Sequence, residues 1–119
     1  MNDFRLMARI LSAVKVCEHE RKMNMTLFDV NVLKTDEATR DSIVVKLQES
    51  GYVKGFVIID DMDNQAYPAV VYNSSNPRIT IEGMTFIAEN QPLKKAIEEL
   101  KNAACNAASG ILSNSIFLL

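Results

Sequence analysis

The chain has 119 residues, of which 48% are apolar and 24% charged, with four glycines and three prolines. That composition suits one globular domain and excludes a chain disordered throughout or a collagen-like repeat. A net charge of −2 excludes an overall basic bias toward nucleic acid, while leaving room for a local basic patch.

In chain order, Asp3 reads as a helix N-cap, followed by Phe4, Met7, Leu11 and Val14 at steps of three and four residues, with Ile10 beside them. This predicts an amphipathic helix over 4–18, with Arg5, Arg9, Ser12 and Lys15 away from the stripe. The polar stretch 18–25 reads as a loop, and 26–33 as either a short strand or a short helix. Thr35 before Asp36 and Glu37 predicts a cap and an acidic first turn. The helix then runs to about Ser50, with Ile43, Val44 and Leu47 facing inward and Gly51 ending it.

Residues 52–59 are rich in β-branched and aromatic side chains and predict a strand. A turn at 60–64 and a second strand through Val70, Val71 and Tyr72 complete a β-hairpin, with 73–77 as a loop. Thr80 can cap a further helix to about Glu89, with Ile81, Met84, Ile87 and Ala88 packing. From Pro92, the residues Leu93, Ile97, Leu100 and Ala104 repeat at helical spacing, and the tail after Gly110 is again apolar. Three helical elements followed by a hairpin is the winged helix-turn-helix order, with the hairpin as the wing. The expectation is therefore an α+β domain, with the winged helix over 1–92 and a C-terminal helical extension over 93–119 in the same structural domain. The alternative is a hairpin packed on an unrelated helical bundle.

Two stretches carry a family resemblance. Lys46-Leu47-Gln48-Glu49-Ser50-Gly51-Tyr52-Val53 is a helix end breaking at glycine into an aromatic-led strand. In residues 79–90 Thr80 opens a helix, Gly83 follows three residues later, and Phe86-Ile87 close it. Over roughly 3–92 the chain resembles the YjcQ family, short winged-helix proteins of bacteria and their phages. The resemblance implies a winged-helix fold and a phage or prophage origin. It brings no activity and no functional residues, and residues 93–119 depart from the typical short member.

The residues offer little for an active site, and a non-enzymatic protein without cofactor or metal is expected. His19 is the only histidine and lies between Glu18 and Glu20 in a charged stretch, with no nucleophile positioned for it. A zinc site needs about four ligands, and the chain offers only Cys17, His19 and the remote Cys105 as thiol or imidazole donors. Asp61 and Asp63 resemble the start of a calcium loop, but the required glycine and terminal carboxylate are absent. The four glycines are too scattered for a phosphate-binding loop. The two cysteines read as reduced thiols of a cytoplasmic protein. Charges at Asp3, Arg5 and Arg9 interrupt any export-signal core, and the uncharged run 102–119 is too short and polar for a membrane span.

Winged helices invite a DNA-binding reading, so the charges that would meet phosphate decide it. From Asp36 to Glu49 there are four acids and two bases. Stepping from Ile43 and Leu47, the outward face collects Ala38, Asp41, Ser42, Val45 and Glu49. The wing tip adds Asp60, Asp61 and Asp63. The candidate nucleic-acid contacts are Arg5, Arg9, Lys15, Arg21 and Lys22, on and just after the first helix. A second candidate surface is the apolar C-terminal stripe of Leu93, Ile97, Leu100, Ile111, Leu112, Ile116 and Leu119, which could pair two copies as a homodimer or seat a protein partner. The expectation is a protein-interaction or accessory module, with DNA disfavoured by the acidic helix 36–49 and wing tip. The alternative is a DNA-binding regulator.

Overall fold

The computed structural model describes residues 3–59 and 69–106, with side chains over 4–59 and 69–100. The 60–64 turn with Asp60, Asp61 and Asp63, and the tail positions Ile111, Leu112, Ile116 and Leu119, lie outside the described residues, as do the side chains of Asp3, Ala104 and Cys105.

The fold is a winged helix. Helix α1 (Asp3–Glu20) is followed by a 3-10 turn (Met25–Phe28), the short helix α2 (Val30–Leu33) and α3 (Glu37–Glu49). Strands β1 (Val53–Lys54), β2 (Val57–Ile59), β3 (Ala69–Val71) and β4 (Arg78–Ile79) form the hairpin, and α4 (Ile81–Glu89) and α5 (Gln91–Asn106) close the described chain. The 26–33 stretch is thus helical. Asp29 caps α2 by accepting from the Asn31 N–H at 2.8 Å, and Lys34, in the left-handed region, ends it.

Three boundaries differ from expectation for local reasons. Helix α1 continues through His19 to Glu20 and stops where Arg21 turns left-handed at φ 58°, so the histidine is helical. Asp36 caps α3 in place of Thr35. Its carboxylate takes both the backbone N–H of Thr39 at 2.8 Å and the Thr39 hydroxyl at 3.0 Å, bonds an uncharged hydroxyl makes less strongly. The stretch 52–59 is two strands rather than one, because the backbone breaks at Gly55.

The hairpin is interrupted midway into two two-stranded ladders. At its base β1 pairs antiparallel with β4, Val53 opposite Ile79 and Lys54 opposite Arg78. Toward the tip β2 pairs with β3, placing Val57, Ile58 and Ile59 opposite Val71, Val70 and Ala69. Between them Gly55 has φ 95°, and a Cβ there would stand 2.0 Å from the Asn76 carbonyl oxygen, so only glycine fits. The backbone groups left over by the break are satisfied from outside the ladder. Phe56 donates to Gln48 Oε1 at 2.9 Å and accepts from Gln48 Nε2 at 3.1 Å, while Val57 donates to Ser75 Oγ at 2.9 Å.

The core forms around α1. Of the expected stripe, Ile10, Leu11 and Val14 are buried and Met7 is half-buried, whereas Phe4 is exposed. Leu6 and Cys17 are buried beside them, and so is a second row of Ala8, Ser12 and Val16 on another side of the helix. Ser12 is therefore interior, not on a solvent face, and its hydroxyl has no hydrogen-bond partner among the described residues. Such enclosure follows from the neighbours: α1 packs against α2, α3 and β4, and most extensively against α5. Phe28, Phe56 and Tyr72 form an aromatic trio beneath the wing, with centroids 5.2 to 6.2 Å apart.

The apolar stripe expected on α4 is only partly inward. Phe86 and Ile87 pack against the core, whereas Ile81, Met84 and Ala88 are exposed, Ile81 by 78%. Thr80 caps this helix as expected, its Oγ accepting from the Gly83 N–H at 2.9 Å.

Candidate interaction surface

Helix α3 would read a groove in a DNA-binding winged helix, so its outward side matters first. Its residues do not point where a single-core helical wheel predicts. Asp41 is only 5% exposed and Val45 only 9%, because the return side of the wing covers a second face of α3. Tyr72 donates its hydroxyl to Asp41 Oδ1 at 2.6 Å, and Arg40 Nε donates to the same oxygen at 2.9 Å. Arg40 also donates to the Phe28 carbonyl at 2.9 Å and lies 4.5 Å above the Tyr72 ring. Burial, and then the Asp41 carboxylate, push the Tyr72 hydroxyl far above its ordinary pKa.

With Asp41 and Val45 turned inward, the outward stripe of α3 is Ala38, Ser42, Lys46 and Glu49. It carries one cation and one anion, correcting the expected face of two carboxylates and no base. The helix remains acidic at its surface, since Asp36, Glu37 and Glu49 are exposed against Lys46 alone, and Arg40 is committed to Asp41. The Thr39 bonds hold the Asp36 carboxyl below the usual carboxylate range.

Among the described residues the solvent side of the β2–β3 pair is apolar. Val57 and Ile59 are exposed, by 41% and 51%, and their cross-strand partners Val71 and Ala69 are half-buried on the same side. Ile58 and Val70 take the inner side against the core. At the hairpin base the exposed cross-strand pair is Lys54 and Arg78, with Val53 and Ile79 turned inward. The pair was hidden in the sequence because 78–79 was not recognisable as a strand, so nothing set Arg78 opposite Lys54.

The candidate nucleic-acid contacts do not gather into one patch. Arg5 and Arg9 share a row of α1, Lys15 lies on a different row, and Arg21 and Lys22 follow the helix end. From Arg5 to the helix end at Glu20, just before Arg21, the axis runs about 22 Å. Arg9 and Lys15 are half-buried, while Arg5, Arg21 and Lys22 are exposed.

The C-terminal stripe packs against the core as far as its side chains are described. Leu93 is fully buried in the core, and the half-buried Ile97 and Leu100 pack against it. The small residue Ala96 is buried beside them.

Cys17 is a buried thiol whose Sγ lies 3.9 Å from the Met23 sulfur and accepts from the Asn24 N–H at 3.3 Å; burial raises its pKa. His19 is exposed on the last turn of α1. Among the described residues no group of three histidine, cysteine or carboxylate side chains could hold a metal ion, and no helix is long and apolar enough to cross a membrane.

The two stretches of the family resemblance meet in space. Thr80 Oγ donates to the Gly51 carbonyl, and the Thr80 N–H donates to the Tyr52 carbonyl at 3.1 Å. Phe86 stacks on Tyr52 with centroids 4.2 Å apart. A Cβ on Gly83 would lie 2.1 Å from the Tyr52 oxygen, which is why a glycine stands three residues after the threonine. No curated protein and no solved structure matches the chain. The model of the YjcQ protein family matches residues 8–104, reaching well into α5, and the chain belongs to that family.

Proposed function

We propose that this chain is a non-enzymatic winged-helix module, of phage or prophage origin and working in the cytoplasm, that binds another protein through the outer side of its wing. The observation that carries the reading is the apolar surface of Val57, Ile59, Ala69 and Val71 where a DNA-binding wing would present cations to phosphate. Exposed β-branched side chains on a short two-stranded ribbon gain by burial against a partner, at about 1.5–3 kcal/mol for each side chain fully covered. The acidic surface of α3 supports the same reading, because Asp36, Glu37 and Glu49 would repel a phosphate backbone.

The test is partner selection against the wild-type chain, followed by challenge with Ile59→Lys. That side chain is already half in solvent, so circular dichroism and melting temperature should stay near wild type. Selected partners should lose the variant. Partners that bind Ile59→Lys as tightly as wild type would contradict the proposed face.

A further inference from the structure

Lys54 and Arg78 stand directly opposite each other in the β1–β4 ladder, and both are exposed. Directly opposed residues of an antiparallel pair have their Cβ atoms about 4.5–5.5 Å apart, so like charges there repel. Among the described residues the recorded ion pair joins Arg40 and Asp41, and neither Lys54 nor Arg78 forms one. The sheet therefore carries an opposed cation pair that costs stability.

We infer that Lys54 and Arg78 form a carboxylate-binding clamp for an acidic, partly apolar segment of a partner protein. This deepens the proposed wing interface and rests on it. The geometry joins the two features. Gly55 shifts the alternation by one residue, so that Lys54 before the break and Val57 and Ile59 after it are all exposed. On the return side Val71 and Ala69 accompany Arg78. A ligand reaching across both strand pairs would meet two opposed cations at the hairpin base and exposed β-branched side chains toward the tip. A glutamate- or aspartate-bearing segment with aliphatic side chains complements both. A carboxylate between the cations cancels their mutual repulsion and gains charge-assisted hydrogen bonds, with Arg78 able to engage both oxygens. A phosphodiester backbone would match the cations but would leave Val57 and Ile59 facing charged oxygens and water.

The experiment uses the full chain and a fluorescein-labelled peptide of alternating glutamate and valine, with a labelled 20-base-pair duplex as the second probe. Lys54→Glu and Arg78→Glu are each compared with the double variant. Each single variant replaces a like-charge pair with an opposite one, so its melting temperature should rise by about 1–5 °C at low salt, and the gain should shrink as salt screens it. The double variant restores a like-charge pair and should show no such rise. Peptide affinity should fall about ten-fold or more in all three, so that stabilised variants bind worse. Peptide binding that is absent, or unchanged in the variants, would overturn the clamp while leaving the wing interface standing. Singles that do not rise in stability would overturn the opposed geometry. Concentration-dependent doubling of mass without peptide, abolished by Lys54→Glu, would give the surface to a second copy and overturn the peptide assignment. Duplex binding lost in the same variants would overturn the protein-binding reading itself.

Discussion

The hydroxyl of Tyr72, the first residue after β3, donates to Asp41 in the middle of α3 at 2.6 Å, and this bond ties the wing to the helix it follows. The carboxylate is simultaneously held by Arg40, so a buried negative charge is satisfied from both elements. The return strand of the wing is thus tied to α3.

Tyr72→Phe keeps the ring contacts to Phe28 and Phe56 and removes only the hydroxyl. A hydrogen bond to a charged group is worth about 1.5–3 kcal/mol, and that loss is expected in urea unfolding at neutral pH. A change below 0.5 kcal/mol, where the approximate range of surface substitutions lies, would mean the bond does not hold the wing.

The same residue sets the alkaline limit. Its pKa is raised in the folded state, so the neutral phenol favours folding fully below about pH 10, the unfolded value, and that contribution is lost as pH rises beyond it. Urea midpoints measured from about pH 8 to 11.5 should fall more steeply for wild type than for Tyr72→Phe. Parallel curves would assign the alkaline loss to other groups.

Leu93→Ala should cost about 2–5 kcal/mol, because this fully buried side chain anchors α5 to the core. Ile81→Ala, at a side chain 78% exposed, should stay within about 0.5 kcal/mol. Equal costs would show that α5 is an appendage rather than part of the fold.

Gly55→Ala should destabilise by more than about 1 kcal/mol, since the added methyl would meet the Asn76 carbonyl and the backbone would be held at φ 95°. Chemical denaturation gives the value. A neutral substitution would require the base and tip of the hairpin to be joined differently from what is described.

How much was legible in the residues depended on how many partners each element has. Helix α3, the hairpin, the Thr80 cap and the end of α4 at Glu89 followed from capping, glycine and alternation, which are local signals. Asp41 and Val45 misled because a helical wheel built on Ile43 and Leu47 knows only one packing face, while α3 has a second against the wing. Ser12 misled for the same reason, being polar on a helix enclosed on more than one side. Strand β4 is two residues long and has no periodicity to detect, so the opposition of Lys54 and Arg78 emerged only with the pairing. The candidate contacts from Arg5 to Lys22 spread along and beyond α1, because proximity in sequence is not proximity on a surface.

The central claim, that the wing side meets protein rather than duplex phosphate, is tested most directly by fluorescence anisotropy of a labelled random duplex at about 50 and 200 mM salt. The account predicts no binding up to tens of micromolar protein at either salt (roughly, the affinity of nonspecific contacts). Submicromolar binding that collapses between the two salts would contradict it, and would return the row of Arg5 and Arg9 to the centre of the function.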